Sequence, residues 1–142
     1  MNNAVPGHIN LVVRDIERSV AFYELLGWRA DVAGPHASFG FDGFHVELDQ
    51  EEFAHQWNRG TPPVAGGSAL FCVYVAGRSE VDELTGKITA AGHRLVQTAY
   101  DAFWGARFAV VADPDGYQIG IMSPIEADHK YWPPREAPAS LD

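Results

Sequence analysis

One short phrase occurs twice in this chain. Residues 42–48 read DGFHVEL and residues 115–121 read DGYQIGI. Each copy has Asp-Gly, an aromatic, a polar residue, a β-branched aliphatic, one variable position and another aliphatic. Asp-Gly ahead of such a run is a strong hairpin signal, because glycine supplies the positive φ that a tight turn needs. A chain that builds the same hairpin late in each of its halves reads as a duplicated module, with its ligand site expected between the copies. The copies differ most at the sixth place, where Glu47 in the first stands against Gly120 in the second. The missing carboxylate bears directly on whether the site holds a metal.

The remaining sequence repeats in the same order. His8-Ile9-Asn10-Leu11-Val12-Val13 reads as a strand. Asp15 is placed to cap a helix whose buried face carries Ile16, Val20, Tyr23 and Leu26, and Gly27 stops it. Strands near 28–33, 36–41 and 44–49 follow. In the second half, a strand through residues 69–75 precedes a helix that Ser79 and Asp82 open as a capping box. Val81, Leu84, Ile88 and Ala91 mark its buried face and Gly92 ends it, ahead of strands near 94–99, 106–112 and 117–123. A repeat of roughly sixty to seventy residues is too long for a solenoid and suits a duplicated supersecondary unit. The boundaries expected are a first module at 5–50, a connector at 51–67, a second module at 68–124 and an irregular tail at 125–142. Residues 50–57 can form a short helix in the connector, with Phe53 and Trp57 as a lid or as plain helix packing.

With 142 residues, 46% hydrophobic and 20% charged, the chain is one soluble globular domain by size and composition. Its net charge of −9 argues against phosphate neutralisation and so against nucleic acid. Apolar runs are strand-sized, which excludes a membrane-spanning helix. The single Cys72 and the lack of a basic-then-apolar N-terminus give a cytoplasmic expectation. Cys72 reads as a small buried hydrophobe.

The opening HINLVVRDIERSVAFYELLGW and the closing ARFAVVADPDGYQIGIMSP resemble the vicinal oxygen chelate superfamily, which includes glyoxalase I, extradiol dioxygenases and fosfomycin- and bleomycin-resistance proteins. The resemblance covers roughly residues 7–124 and implies an α+β fold. In it, two tandem β-α-β-β-β modules with curled mixed sheets enclose a cavity, and two chains form a homodimer. It also implies metal-ligand places at His8 and Glu47 in the first module, and at Leu70 and Gly120 in the second, where no donor exists. Two donors alone make a weak site for a hard divalent cation. Strand alternation puts His45 beside Glu47, so His8, Glu47 and His45 are the fallback set should a metal bind.

The expected ligand-binding residues are His8, Phe39, Phe41, His45, Glu47, Phe103, Trp104, Arg107, Gln118 and Met122. Phe103 and Trp104 offer a flat wall, or Trp104 packs under a loop; Arg107 either donates to a ligand oxygen or pairs with a nearby carboxylate; Glu47 is an anionic anchor. Gly120 is expected to enlarge the cavity. His36, His55, His93 and His129 are expected at turns or helix edges, facing solvent. The leading expectation is a binder of the bleomycin-resistance type, needing no cofactor, that sequesters a cationic or aromatic organic compound. The alternative is a metal-dependent lyase or dioxygenase with an unconventional ligand set around a divalent metal ion.

Overall fold

The computed structural model describes residues 4–67 and 69–139. The chain divides into two compact units, residues 1–65 and 66–142. The first runs β1 (His8–Val13), α1 (Ile16–Glu24), β2 (Asp31–Ala33), β3 (His36–Phe41), β4 (Phe44–Gln50) and α2 (Glu51–Trp57). Its sheet has the order β1-β4-β3-β2, with β1 parallel to β4 and the other pairs antiparallel. The second unit repeats this with β5 (Leu70–Tyr74), α3 (Arg78–Ala90), β6 (Leu95–Asp101), β7 (Arg107–Ala112) and β8 (Gln118–Met122), in the order β5-β8-β7-β6. The architecture is α+β, with two four-stranded mixed sheets and three α-helices among the described residues.

Helix α1 forms where the sequence signals it. The Asp15 carboxylate accepts from the backbone N–H of Glu17 at 3.0 Å and of Arg18 at 3.3 Å. Gly27, at φ +84°, turns the chain out of the helix. The helix lays Ile16, Val20 and Tyr23 on Leu11 and Val13 of β1, Ala37 and Phe39 of β3, and Val46 and Leu48 of β4, all buried. Tyr23 stacks on Trp28 at 5.4 Å and tilts against Phe39 at 5.8 Å. Each such large apolar side chain contributes about 1.5–3 kcal/mol by leaving water. This packing commits one face of the sheet to the core and turns the alternate residues to the other face.

That alternation corrects one expectation. Phe39 pairs with Val46 and Phe41 with Phe44, so both phenylalanines lie on the face opposite to His45 and Glu47. Phe39 is fully buried in the core, and Phe41 packs edge-on against Trp28 at 4.9 Å. Neither belongs to the site face.

In the second unit α3 buries Val81, Thr85 and Ile88, and β7 and β8 bury Ala109, Val111, Ile119 and Ile121. The capping box expected at Ser79 and Asp82 does not form. The helix begins at Arg78 with Gly77 in the cap position, and Arg107 takes the Asp82 carboxylate. The tail holds one 3₁₀ turn, Ala127–His129, and is otherwise irregular to residue 139. It returns to the second unit, where Tyr131 donates its N–H to the Phe103 carbonyl at 3.0 Å and its hydroxyl to the Asp101 carbonyl at 2.9 Å.

Candidate functional site

Strand register assembles the site on the open face of the first sheet. Along the parallel pair, His8 lies opposite His45, Asn10 opposite Glu47 and Val12 opposite Asp49. From β3, His36 lies opposite Asp49 and Ser38 opposite Glu47. The side chains of these positions point the same way, so polar groups from three strands converge.

Glu47 is the hub. Its Oε2 lies 3.2 Å from His8 Nε2 and 3.0 Å from His45 Nε2. The two imidazoles stack with centroids 4.8 Å apart and planes 19° from parallel, which aims both nitrogens at one oxygen. Glu47 Oε1 lies 3.4 Å from His36 Nε2. His36 Nδ1 in turn sits 2.6 Å from Asp49 Oδ1, and Asn10 Nδ2 donates to Asp49 Oδ2 at 2.8 Å. Asp49 is 4% exposed, and these two partners satisfy its buried carboxylate. The Asn10 Oδ1 atom is buried without a partner. Beside the cluster opens a hollow of about 550 Å³, lined by His8, Asn10, His36, Glu47, Asp49, Phe53 and Trp57. Its floor is polar and its rim aromatic, a mixture typical of small-molecule sites.

The donor set suits a divalent metal. Ligand atoms of His8, His45 and Glu47 all lie within 4.8 Å of one another. Nitrogen and oxygen donors bonded at about 2.0–2.2 Å to one ion sit roughly 3–3.5 Å apart, close to the 3.0 and 3.2 Å spacings here. Two imidazoles and one carboxylate leave further positions open, the pattern of catalytic rather than structural metals. A second cluster, Glu126, Asp128 and His129, lies on the tail with the last two exposed.

The matching face of the second unit is a different surface. Leu70 lies opposite Gln118, Cys72 opposite Gly120 and Tyr74 opposite Met122. Phe108, opposite Met122, meets Trp104 edge-on at 5.2 Å, and the Trp104 indole N–H points at Met122 Sδ at 3.3 Å. Phe103 packs on Trp104 at 5.2 Å and on Trp132 at 5.7 Å. The room expected at Gly120 is filled, since a Cβ there would meet Cys72 Sγ at 2.8 Å and Phe108 Cε1 at 2.9 Å. Gly120 lets two neighbours close in rather than opening a cavity. Cys72 is exposed on this face rather than buried, and partial burial of its sulfur pushes the thiol up, away from the thiolate a nucleophile needs.

Arg107 does not face this surface. Its guanidinium turns toward α3 and grips Asp82 with two bonds, at 2.7 and 2.9 Å, and Asp101 at 3.1 Å. Arg78 also bonds Asp101. The Arg107 hydrogen bond holds the Asp82 carboxyl below its ordinary value. Partial burial pushes Asp101 up, but the Arg107 and Arg78 bonds outweigh it and leave that carboxyl lowered too. Of the two roles open to Arg107, the structure shows the carboxylate pairing, which ties the start of β7 to α3 and the end of β6 rather than meeting the site face.

Of the expected site residues, His8, His45 and Glu47 come together in the first unit. Phe103, Trp104 and Met122 form an aromatic-sulfur cluster in the second, with Gln118 on the same sheet face as Met122. His36, Asn10 and Asp49 were not among the expected site residues. His36 begins β3 and takes part in the site, against the expectation that it faces solvent at a turn. The signal for it was available in the hairpin, where a register that puts Ser38 beside Glu47 must put His36 beside Asp49.

A family model of the Glyoxalase/Bleomycin resistance protein/Dioxygenase superfamily matches residues 5–121. The anthracycline biosynthesis protein DauV of Streptomyces sp. (strain C5) is 31% identical over an alignment 136 positions long that covers 85% of this chain and 49% of DauV. DnrV, an anthracycline biosynthesis protein of Streptomyces peucetius, gives the same identity and coverage. The chain thus spans about half the length of these curated relatives. The crystal structure of a glyoxalase-related enzyme from Fulvimarina pelagi superposes with a TM-score of 0.77 at 26% identity, covering 93% of this chain and 97% of that one.

Proposed function

The chain belongs to the glyoxalase/bleomycin resistance protein/dioxygenase superfamily, and from that premise we propose that its first unit is a metal-dependent enzyme site for a small organic substrate. His8, His45 and Glu47 would hold the ion, and the substrate would occupy the adjoining hollow. The observation that carries this reading is the convergence of His8 Nε2 and His45 Nε2 on one Glu47 oxygen, at 3.2 and 3.0 Å. A divalent ion there supplies a Lewis acid for adjacent substrate oxygens, and a set of two imidazoles and one carboxylate suits iron(II) oxygenation. The chain's own residues do the rest. Phe53 and Trp57 offer an apolar wall to the body of the substrate, and Trp57, 52% exposed, has surface left to cover. Asn10 and Asp49 fix the polar floor so that it need not reorganise when a ligand enters. The relatives named for anthracycline biosynthesis support a role in handling small organic molecules.

A second reading has its own observation. The second unit offers Leu70 and Gly120 at the places matching His8 and Glu47, and imidazoles already surround the Glu47 oxygens. Both facts favour a metal-free binder of the bleomycin-resistance type, in which Glu47 and the aromatic rim hold a cationic, partly aromatic compound. Elemental analysis of the purified chain, followed by calorimetric reloading after chelation, separates the two. One tightly held metal per chain that Glu47→Gln abolishes supports the enzyme. Absence of metal uptake, with unfolding unaffected by chelator, sinks it and leaves the binder.

A further inference from the structure

We infer that His36, oriented by Asp49 and through it by Asn10, is a positioning residue for the metal-binding carboxylate of Glu47. The inference rests on the metal reading above and adds to it a group that the ligand set does not contain. A carboxylate that binds an ion through one oxygen leaves the other free to swing, and a hydrogen bond to that second oxygen fixes the plane. Glu47 divides its oxygens in this way, with His36 in ion-pair contact at the second. Oε2 faces His8 and His45, whereas Oε1 faces His36 Nε2 at 3.4 Å.

His36 is itself held. Its Nδ1 sits 2.6 Å from the Asp49 carboxylate, whose other oxygen takes the Asn10 amide at 2.8 Å. Asp49 is 4% exposed and both of its oxygens are engaged, so the chain Asn10–Asp49–His36–Glu47 starts from a buried, hydrogen-bonded end. The Asn10 amide orientation follows from the same bond, which leaves its buried Oδ1 without a partner. His36 lies outside the compact trio of ligand atoms and meets the carboxylate oxygen that the two imidazoles do not share.

A second, independent line comes from the other unit. Matching registers set Asn10 against Cys72, His36 against Phe108 and Asp49 against Met122. The unit that lacks the carboxylate at the Glu47 place lacks all three supporting residues as well. Groups that hold a metal ligand by hydrogen bonds typically account for about 10–100-fold in metal affinity.

The test is a cobalt(II) titration of the full chain, followed by calorimetry and by visible absorption. The wild-type chain is expected to bind one ion, and His36→Ala to bind it about 10–100-fold more weakly with an unchanged number of nitrogen donors in the spectrum, the variant remaining folded at the titration temperature with a lower unfolding midpoint because Asp49 loses a partner. His36→Gln, whose amide can still reach Glu47, is expected to recover part of the loss, and Met122→Leu on the other sheet to lose nothing. Wild-type affinity in His36→Ala overturns the inference while leaving the metal reading intact. Loss of a nitrogen donor from the spectrum overturns it too, by making His36 a ligand. A wild-type chain that takes up no cobalt overturns both.

Discussion

The two sheets of this protein share one register and present opposite chemistry. On the open face of the first unit stand His8, Asn10, His36, His45, Glu47 and Asp49. At the same places in the second stand Leu70, Cys72, Phe108, Gln118, Gly120 and Met122. Backbone pairing across β1, β4 and β3 repeats in β5, β8 and β7, but hydrogen bonding is replaced by ring and sulfur packing. The difference is nearly all-or-none, and there is a physical reason for that. A carboxylate such as Asp49, deprived of one partner, leaves a buried charge only partly compensated, which is worse than an apolar surface. A polar network on a sheet therefore tends to be kept whole or dismantled whole.

The most severe way to break the comparison is to put the missing carboxylate back alone. Gly120→Glu would drive a side chain into Cys72 Sγ and Phe108, both under 3.0 Å from the new Cβ, and leave a charge without a partner. A loss of about 3–5 kcal/mol is expected in urea unfolding. Adding Phe108→His should return part of it, and a single variant of wild-type stability would show that the two faces are not mutually exclusive packings. A smaller effect is expected in the first unit from Asp49→Leu, which strands His36 Nδ1 and Asn10 Nδ2. About 2–3 kcal/mol should be lost, against less than about 1.5 kcal/mol for Met122→Leu at the matching place. Equal losses in the two variants would mean that Asp49 acts as packing, not as a hydrogen-bond hub.

The smallest effect concerns the helix side of the second unit. Asp82 and Asp101 have carboxyls held below their ordinary range by Arg107 and Arg78. A depressed folded value stabilises the fold above the unfolded pKa of about 3.9 and loses that contribution as pH falls through the folded value. Both carboxylates are at least half exposed, at 50% and 62%, so solvent screens the pairs. A few tenths of a kcal/mol is the expected scale. Acid titration of Arg107→Met should show a shallower loss of stability below about pH 4 than the wild-type chain does. An identical slope would remove these pairs from the acid response.

How much of this was legible in the sequence differs between fold and site. The duplicated order, the Asp15 cap, the Gly27 stop and the two Asp-Gly turns are local signals, and local chemistry decides them. The helix start at Arg78 was missed because Ser79 and Asp82 satisfy a local pattern that a distant partner, Arg107, overrides. In the site, alternation along β4 and β1 was enough to bring His8, His45 and Glu47 to one face. It failed along β3, where the phase depends on the register across the Asp-Gly turn. Counting Phe39 and Phe41 inward is the phase opposite to the one that brings His36 to the site, and His36 itself was expected at the turn rather than on the strand. Arg107 and Phe108 show the same limit, because adjacent strand residues face opposite ways and a motif does not say which of them meets the ligand.

The closeness of Cys72 and Phe108 around Gly120 also bears on history. A copy of a module that gives up an acidic residue at such a place is at first merely idle. Once larger neighbours have settled into the vacated volume, the original residue no longer fits, and no single substitution leads back. In the second half of this chain a carboxylate does not fit at Gly120 by one substitution, so a site like that of the first half would require several changes at once.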